Sequence, residues 1–244
     1  MKRLILMLQF LTKLPLPFEI DAKEEDFSKG IIYFPIVGLI IGGLMAGLYI
    51  GLSALTNIMI ASVLVIVFEI FITGGLHLDG LADTFDGLYS YRDKDRMLEI
   101  MKDSRVGTNG VLILIVNIVL KMVLLVSIEP EMVPKLLLLM PVVSRLMVVL
   151  LSAISKYARN NGMGGFFIGK TTKLQLIITI VLVLVMHLIY LEGLFLFGMI
   201  IILTLIYRYH VYTKIDGITG DVLGAVVEMS EVFYLMLYVL FLGV

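Results

Sequence analysis

Residues Ile31 to Leu55 read IIYFPIVGLIIGGLMAGLYIGLSAL and contain no charged side chain. A helix of about 20 apolar residues is long enough to cross the hydrocarbon core of a bilayer. Further apolar runs lie at Ile58 to Leu76, Val111 to Ile128, Val133 to Ile154, Leu174 to Leu191, Leu194 to Tyr207 and Val232 to Val244. The pattern predicts an all-α integral membrane protein, with about seven transmembrane helices in one domain over residues 1–244.

Three details of this pattern can be checked against a structure. The last two runs are short, and we expect the first of them to extend through Tyr212 and the other to begin near Val222. We expect the basic and apolar segment at about residues 1–20 to be a retained interfacial helix. Glycines in the first run, among them Gly38 and Gly42, favour close helix packing.

The composition agrees with a membrane protein and excludes several other classes. Of the 244 residues, 60% are hydrophobic and 16% charged, against roughly 45–50% and 25% in soluble domains. The chain has no cysteine, which excludes disulfides, thiolate metal sites and a cysteine nucleophile. A formal net charge of -1 gives no general attraction to nucleic acid.

Basic residues predict the orientation. If every run crosses once, the segments that fall on one side hold Lys2, Arg3, Lys13, Lys23, Lys29, Arg92, Lys94, Arg96, Lys102, Arg105, Lys156, Arg159, Lys170, Lys173, Arg208 and Lys214. The opposite connections hold only Lys135. Because cytoplasmic loops carry the excess of lysine and arginine, we expect a cytoplasmic N-terminus and an external C-terminus. The polar motifs then all fall on the cytoplasmic side.

The richest of these motifs is GGLHLDGLADTFDGL at Gly74 to Leu88. On a helix, Asp79, Asp83 and Asp86 share an arc of about 60°. Carboxylates stacked in this way repel one another, and hard oxygen ligands suit Mg²⁺, Mn²⁺ or Ca²⁺. The motif therefore predicts a cation site, with Mg²⁺ and a phosphate-bearing substrate as the best fit. The alternative is a solvated, turn-rich loop. For His77 a structural role and a catalytic one both stay open.

A second motif, KDSRVGTNG at Lys102 to Gly110, leads into an apolar run. Arg105 can bind phosphate oxygens bidentately, and the glycines let backbone N–H groups approach an anion near a helix start. Lys102, Gly107 and Asn109 are therefore candidate substrate-binding residues. The alternative is a loop that only caps the helix.

Two later segments add candidates. KYARNNGMGG at Lys156 to Gly165 offers Lys156, Arg159 and Asn161 for a nucleotide or a pyrophosphate, although basic loops also follow the topology rule without binding a ligand. DGITGDVLGAVVEMSE at Asp216 to Glu231 presents a second acidic face that includes Asp221. Its carboxylates can serve function or pair with Lys121 and Arg145 inside the bundle.

The motifs together carry a family resemblance. GGLHLDGLADTFDG, DSRVGTNG and GITGDVLGA occur in this order, and the chain closely resembles, over nearly its full length, the cobalamin 5'-phosphate synthases, also called adenosylcobinamide-GDP ribazoletransferases. The resemblance implies a membrane enzyme that joins adenosylcobinamide-GDP to α-ribazole or its 5'-phosphate. GMP is released, and the expected cofactor is Mg²⁺.

Site roles follow from combining this chemistry with the motifs. Asp79, Asp83, Asp86 and Asp221 are the predicted metal ligands. Arg105 and Lys102 would stabilise phosphate charge, and His77 or Asp103 would accept the hydroxyl proton. The expected location is the cell membrane, in contact with lipid and with small-molecule substrates, and without nucleic acid. The sequence does not fix the oligomeric state, so a homo-oligomer stays open.

Two other functions are alternatives to this hypothesis. The acidic motif is also similar to that of the CDP-alcohol phosphotransferases, but those enzymes place Ala-Arg after Asp-Gly where this chain has Ala82-Asp83. The second alternative is an ion-coupled transporter that uses the charges of Glu69, Lys121, Arg145 and Glu228 within the membrane. A transporter usually needs gates on both sides, whereas these motifs crowd one side.

Overall fold

The computed structural model describes residues 1–243, which fold into helices joined by short connections. The α-helices are α1 (Lys2–Leu11), α2 (Glu24–Gly30), α3 (Phe34–Leu55), α4 (Ile58–Thr73), α5 (Leu76–Leu88), α6 (Lys94–Ile100), α7 (Thr108–Ser127), α8 (Val133–Ile154), α9 (Lys173–Met186), α10 (Gly193–Ile215) and α11 (Gly220–Phe241). Short 3-10 turns lie at Ile31–Tyr33, Met163–Phe166 and His187–Ile189. The all-α prediction is confirmed.

Within residues 1–243, five helical segments are long and apolar enough to cross a membrane. They are Glu24–Leu55, α7, α8, α10 and α11. The bent pair of α4 and α5 raises the number to six if it counts as one crossing. The expected seven is therefore not confirmed, because α4 stops at Thr73 and the apolar segment Lys173–Ile189 is short. The protein is an integral membrane helix bundle.

Helices α8 and α11 form the centre of the bundle, and most of their side chains are buried. Helix α3 packs closely on α8, since a Cβ atom at Gly42 would meet the backbone of Leu137 and Leu138. Gly38 meets the backbone of Pro141 in the same way, which confirms close packing at these two glycines. Helices α7 and α10 instead expose many apolar side chains, as expected for surfaces that face lipid.

The ends of α10 and α11 agree with the sequence. Helix α10 continues past Tyr212 to Ile215, and α11 begins at Gly220, shortly before Val222. Both predicted extensions are confirmed. The last residue of the seventh run, Val244, lies outside the described residues.

A sharp bend separates α4 from α5. Gly74 and Gly75 have φ values of 63° and 70°, a left-handed conformation that a residue with a Cβ atom adopts only with strain. The axis of α5 turns by 88° relative to α4. The bend is why the apolar run from Ile58 ends early, and it sends the acidic motif across the end of the bundle.

A cluster of charges lies in the core of the bundle. The Lys121 Nζ atom is 3.2 Å from Glu69, 2.9 Å from Glu228 and 2.5 Å from Glu231. Arg145 forms a further ion pair with Glu231. The charges considered for an ion pathway are therefore paired with one another, as expected for buried charges in a stable core.

Candidate active site

The acidic motif forms one helix, as predicted. Helix α5 carries Asp79, Asp83 and Asp86, and it lies against the start of α11. The two helices approach closely at Gly80 and Gly224, where the Cβ of a larger residue at Gly80 would lie 2.9 Å from the Asp221 carbonyl oxygen and 3.2 Å from Gly224 Cα. This contact brings the first acidic motif beside the last one.

A cavity of about 250 Å³ opens at this crossing. His77 and Asp79 reach it from α5, Asp221 from α11, and Arg159 from the connection after α8. Three of the four sequence motifs therefore meet in one cavity. Its position at the end of α8 and the starts of α3 and α11 places it at one end of the bundle.

An ion pair crosses the wall of this cavity. The Arg159 Nη2 atom lies 2.7 Å from Asp221 Oδ2, and the Thr219 hydroxyl donates a hydrogen bond of 3.2 Å to the same carboxylate. Both charged side chains are largely buried. A guanidinium held in this way can exchange part of its carboxylate contact for a phosphate oxygen.

The carboxylates near the cavity act on one another electrostatically. Asp83 does not line the cavity itself. Burial and, after it, the charges of Asp79 and Asp221 disfavour ionisation of Asp83, whereas Arg159 favours it. Within residues 1–243, however, no three acidic or histidine side chains converge closely enough to hold a metal ion by themselves. Mg²⁺ commonly takes one or two protein carboxylates and completes its shell with water and substrate phosphates. The donor chemistry of Asp79, Asp83 and Asp221 fits that mode of binding.

Asp86 has a different environment from the other carboxylates. It accepts hydrogen bonds from the backbone N–H groups of Gly107 (2.6 Å) and Gly110 (2.8 Å), one on each carboxylate oxygen. The glycine-rich turn does bind an anion at a helix start, but that anion is Asp86. This pairing gives Asp86 a helix-capping contact, and the metal proposal below rests on the other three carboxylates.

Asp86→Ala should therefore destabilise the protein. Loss of a charged cap at the start of α7 costs about 2 kcal/mol, which corresponds to about 4–8 °C in thermal unfolding. Unfolding of the detergent-solubilised protein with EDTA present measures this effect. Asp79→Ala, two turns earlier on α5, is the matched control and should leave the melting temperature nearly unchanged. Equal melting temperatures for the two variants would contradict the capping role.

Asp103 and Arg105 lie apart from the cavity. Arg105 Nη2 is 2.7 Å from Asp103 Oδ2, and the Arg105 side chain is 87% exposed. Hydrogen bonds from Arg105 lower the pKa of Asp103 to about 2, which makes Asp103 a weak base. The structure thus places neither of these residues, nor the exposed Lys102, among those that line the cavity.

The remaining candidates are also separate from the cavity. Lys156 pairs with Asp216 at 3.0 Å, and this contact holds the pKa of Asp216 below its usual range. The Asn109 side chain donates to the Tyr89 carbonyl at 3.2 Å. Asn161 is exposed, and its carbonyl accepts from the Tyr157 hydroxyl. Of the basic-loop candidates, only Arg159 lines the cavity.

A second, wider cavity of about 450 Å³ adjoins the first. Phe10, Leu76 and Asp79 line both cavities, and Lys13 lines the second. Asp79 therefore lies between the two cavities. No signal in the sequence marked Lys13 beyond its place in a basic segment.

The sequence also did not reveal an apolar wall in the first cavity. Phe10, Phe34 and Phe167 line it together, with ring centroids 5.3 Å apart for Phe34 and Phe167 and 5.6 Å for Phe10 and Phe167. They come from α1, α3 and the connection before α9. Aromatic residues are common in membrane helices, so no local pattern distinguishes these three.

Fold and site define a polytopic membrane protein whose acidic and basic groups converge beside an aromatic-walled cavity at one end of the bundle. The family model described as cobalamin-5-phosphate synthase matches residues 3–239. The chain belongs to this family, and the resemblance seen in its motifs is confirmed. It is accordingly a transferase of cobalamin biosynthesis.

Individual relatives match over nearly their whole length. The protein named adenosylcobinamide-GDP ribazoletransferase in Clostridium acetobutylicum is 48% identical to this chain, and the match covers 96% of this chain and 94% of the relative. The relative of the same name in Clostridium novyi is 43% identical, and the match covers 100% of this chain and 98% of the relative. The relative of the same name in Alkaliphilus metalliredigens is also 43% identical, and the match covers 100% of this chain and 97% of the relative. No solved structure matches the chain.

Proposed function

We propose that the protein transfers the cobinamide phosphate of adenosylcobinamide-GDP to a ribose hydroxyl of α-ribazole or of its 5'-phosphate. The hydroxyl oxygen forms a bond to the phosphorus on the cobinamide side. The bond from that phosphorus to the bridging oxygen breaks, GMP leaves, and the hydroxyl proton passes to a base. Supporting this proposal are the family membership and the meeting of three charged motifs in one cavity.

The charged residues of the cavity suit a diphosphate. Arg159 supplies a guanidinium that can bind phosphate oxygens, and Lys13 supplies a second cation from the adjoining cavity. Catalysis in phosphoryl transfer is chiefly positioning and stabilisation of charge. The buried Arg159–Asp221 pair provides a fixed group for both tasks.

We further propose that Asp79, Asp83 and Asp221 hold Mg²⁺ together with the substrate phosphates. When bound, Mg²⁺ would neutralise charge on the diphosphate oxygens. The charges of Asp79 and Asp221 both act against ionisation of Asp83, and a bound cation would offset them, which supports the assignment. As acceptor of the hydroxyl proton, His77 fits better than Asp103, since His77 lines the cavity while Asp103 is paired outside it.

The proposed location is the cell membrane, with the site on the cytoplasmic side. Arg159 and Lys13, which belong to two of the basic segments, line the cavities at this end of the bundle. The positive-inside rule assigns such an end to the cytoplasm. A protease-protection assay on inside-out vesicles checks this orientation at the connection after α8.

Release of GMP tests the proposed reaction. Purified protein in detergent or liposomes is incubated with adenosylcobinamide-GDP, α-ribazole and Mg²⁺, and we expect GMP to accumulate only when both substrates are present. EDTA should stop the reaction, and added Mg²⁺ should restore it. Product formation that persists in EDTA would contradict the metal proposal.

The same preparation tests the two rival functions. A CDP-alcohol with a lipid acceptor should give no CMP, and sealed vesicles should show no substrate-independent ion flux. If GMP does not form while either rival activity appears, the proposed reaction is wrong.

A further inference from the structure

Two buried polar atoms that line the first cavity lack a partner. Arg145 is 1% exposed and His77 is 6% exposed. Both line the cavity, and among residues 1–243 neither the Arg145 Nε atom nor the His77 Nδ1 atom has a hydrogen-bond partner. A buried polar group left without a partner is costly, so these atoms are suited to a ligand group that the chain itself does not supply.

The surroundings of Arg145 indicate which kind of group this is. Arg145 donates to Ser144 at 2.9 Å and is ion-paired with Glu231. The core cluster holds three carboxylates, on Glu69, Glu228 and Glu231, against two cations, on Lys121 and Arg145. The charge of Arg145 is therefore already balanced within the protein, and its free N–H suits a neutral acceptor better than a phosphate.

A hydroxyl group suits the hydrogen-bonding capacity of either atom. Arginine Nε always donates, while a neutral histidine nitrogen can accept. A hydroxyl group can thus accept a hydrogen bond from Arg145 or donate one to His77. Phe10, Phe34 and Phe167 also line the cavity. The cavity therefore offers an aromatic surface for a flat ring and two polar atoms for ribose hydroxyls.

We propose that this cavity is the binding site for α-ribazole, with the benzimidazole ring against the three phenylalanines and ribose hydroxyls on Arg145 and His77. This inference rests on the proposed function. The volume of about 250 Å³ limits the cavity to a small ligand and is far too small for a corrinoid. Adenosylcobinamide-GDP then remains outside, with its diphosphate at the mouth, near Asp79 and Arg159.

Arg145 is thereby a substrate-contacting residue that orients the acceptor. Arg145→Lys keeps the charge that pairs with Glu231 but removes the Nε donor. We expect the KM for α-ribazole to rise about tenfold, the effect of one lost hydrogen bond, while the KM for adenosylcobinamide-GDP stays within about twofold. Equilibrium dialysis of α-ribazole alone should show the same weakening without turnover.

Asn117→Ala is the matched control, because Asn117 donates to Glu228 of the same charge cluster at 2.9 Å and does not line the cavity. It should lower thermal stability without a selective rise in the KM for α-ribazole. The same selective rise in both variants, or an equal rise in both KM values in Arg145→Lys, would overturn the proposal.

The wild-type protein provides a test that needs no substitution. Dimethylbenzimidazole, the base without its ribose, should inhibit competitively against α-ribazole and not against adenosylcobinamide-GDP. Competition with adenosylcobinamide-GDP, or no displacement of dialysed α-ribazole, would overturn the assignment even if Arg145→Lys fails to insert. A wild-type protein that binds α-ribazole but releases no GMP would instead contradict the proposed reaction and leave the binding site supported.

Discussion

Asp83→Asn should lower kcat for GMP release by at least about a hundredfold, the usual effect of removing one group that stabilises transition-state charge. The substitution keeps the size of the side chain and removes its charge. The charges of Asp79 and Asp221 act on Asp83, and Asp83 is one of the three proposed ligands of the cation. Initial rates at saturating substrates and Mg²⁺ measure the effect.

The control for this prediction is Asp95→Asn, which makes the same change on an exposed carboxylate of α6. Its activity should equal that of the wild type. Asp83→Asn should insert into membranes and melt at a temperature no lower than the wild type, because it relieves repulsion. Wild-type turnover in Asp83→Asn would refute its assignment as a metal ligand.

Lys121→Met should cause the largest loss of stability. Lys121 is 2% exposed and contacts three carboxylates. Removing the cation leaves buried negative charges with too few partners, and breaking a buried pair in this way costs about 3–5 kcal/mol. We expect the melting temperature of the solubilised protein to fall by about 10 °C.

Lys135→Met provides the comparison, since Lys135 is exposed at the other end of α8. It replaces the same side chain outside the charge cluster and should change the melting temperature little. If Lys121→Met and Lys135→Met have the same melting temperature, the charge cluster does not stabilise the bundle.

Hydropathy and motif order predicted much of this protein, because both depend on local sequence. The length of α3, the extension of α10 past Tyr212 and the start of α11 near Val222 follow from the lengths of the apolar runs and the length needed to cross a bilayer. The number of crossings could not be predicted in the same way. The left-handed conformation of Gly74 and Gly75 ends α4 and bends the chain. Hydropathy is averaged over many residues, so it does not detect a bend at two of them.

The sequence did not predict which motifs contact one another. It identified Asp86 and the Gly107 turn separately, and gave no sign that the carboxylate caps the turn. In the sequence, Arg145 stood out only as a charge within the membrane, either paired in the bundle or part of an ion pathway, although Arg145 also lines the cavity. Pairings across the bundle depend on how helices pack, and one sequence carries no direct record of that packing.

The proposed reaction depends most on a divalent cation that is held by the α5 and α11 carboxylates and contacts the substrate diphosphate. Mn²⁺ in place of Mg²⁺ allows this contact to be measured by electron–nuclear double resonance with adenosylcobinamide-GDP bound. We expect a phosphorus hyperfine coupling in the wild type that disappears in Asp83→Asn. Wild-type Mn²⁺ affinity in Asp83→Asn, or a bound Mn²⁺ without phosphorus coupling in the wild type, would contradict the account.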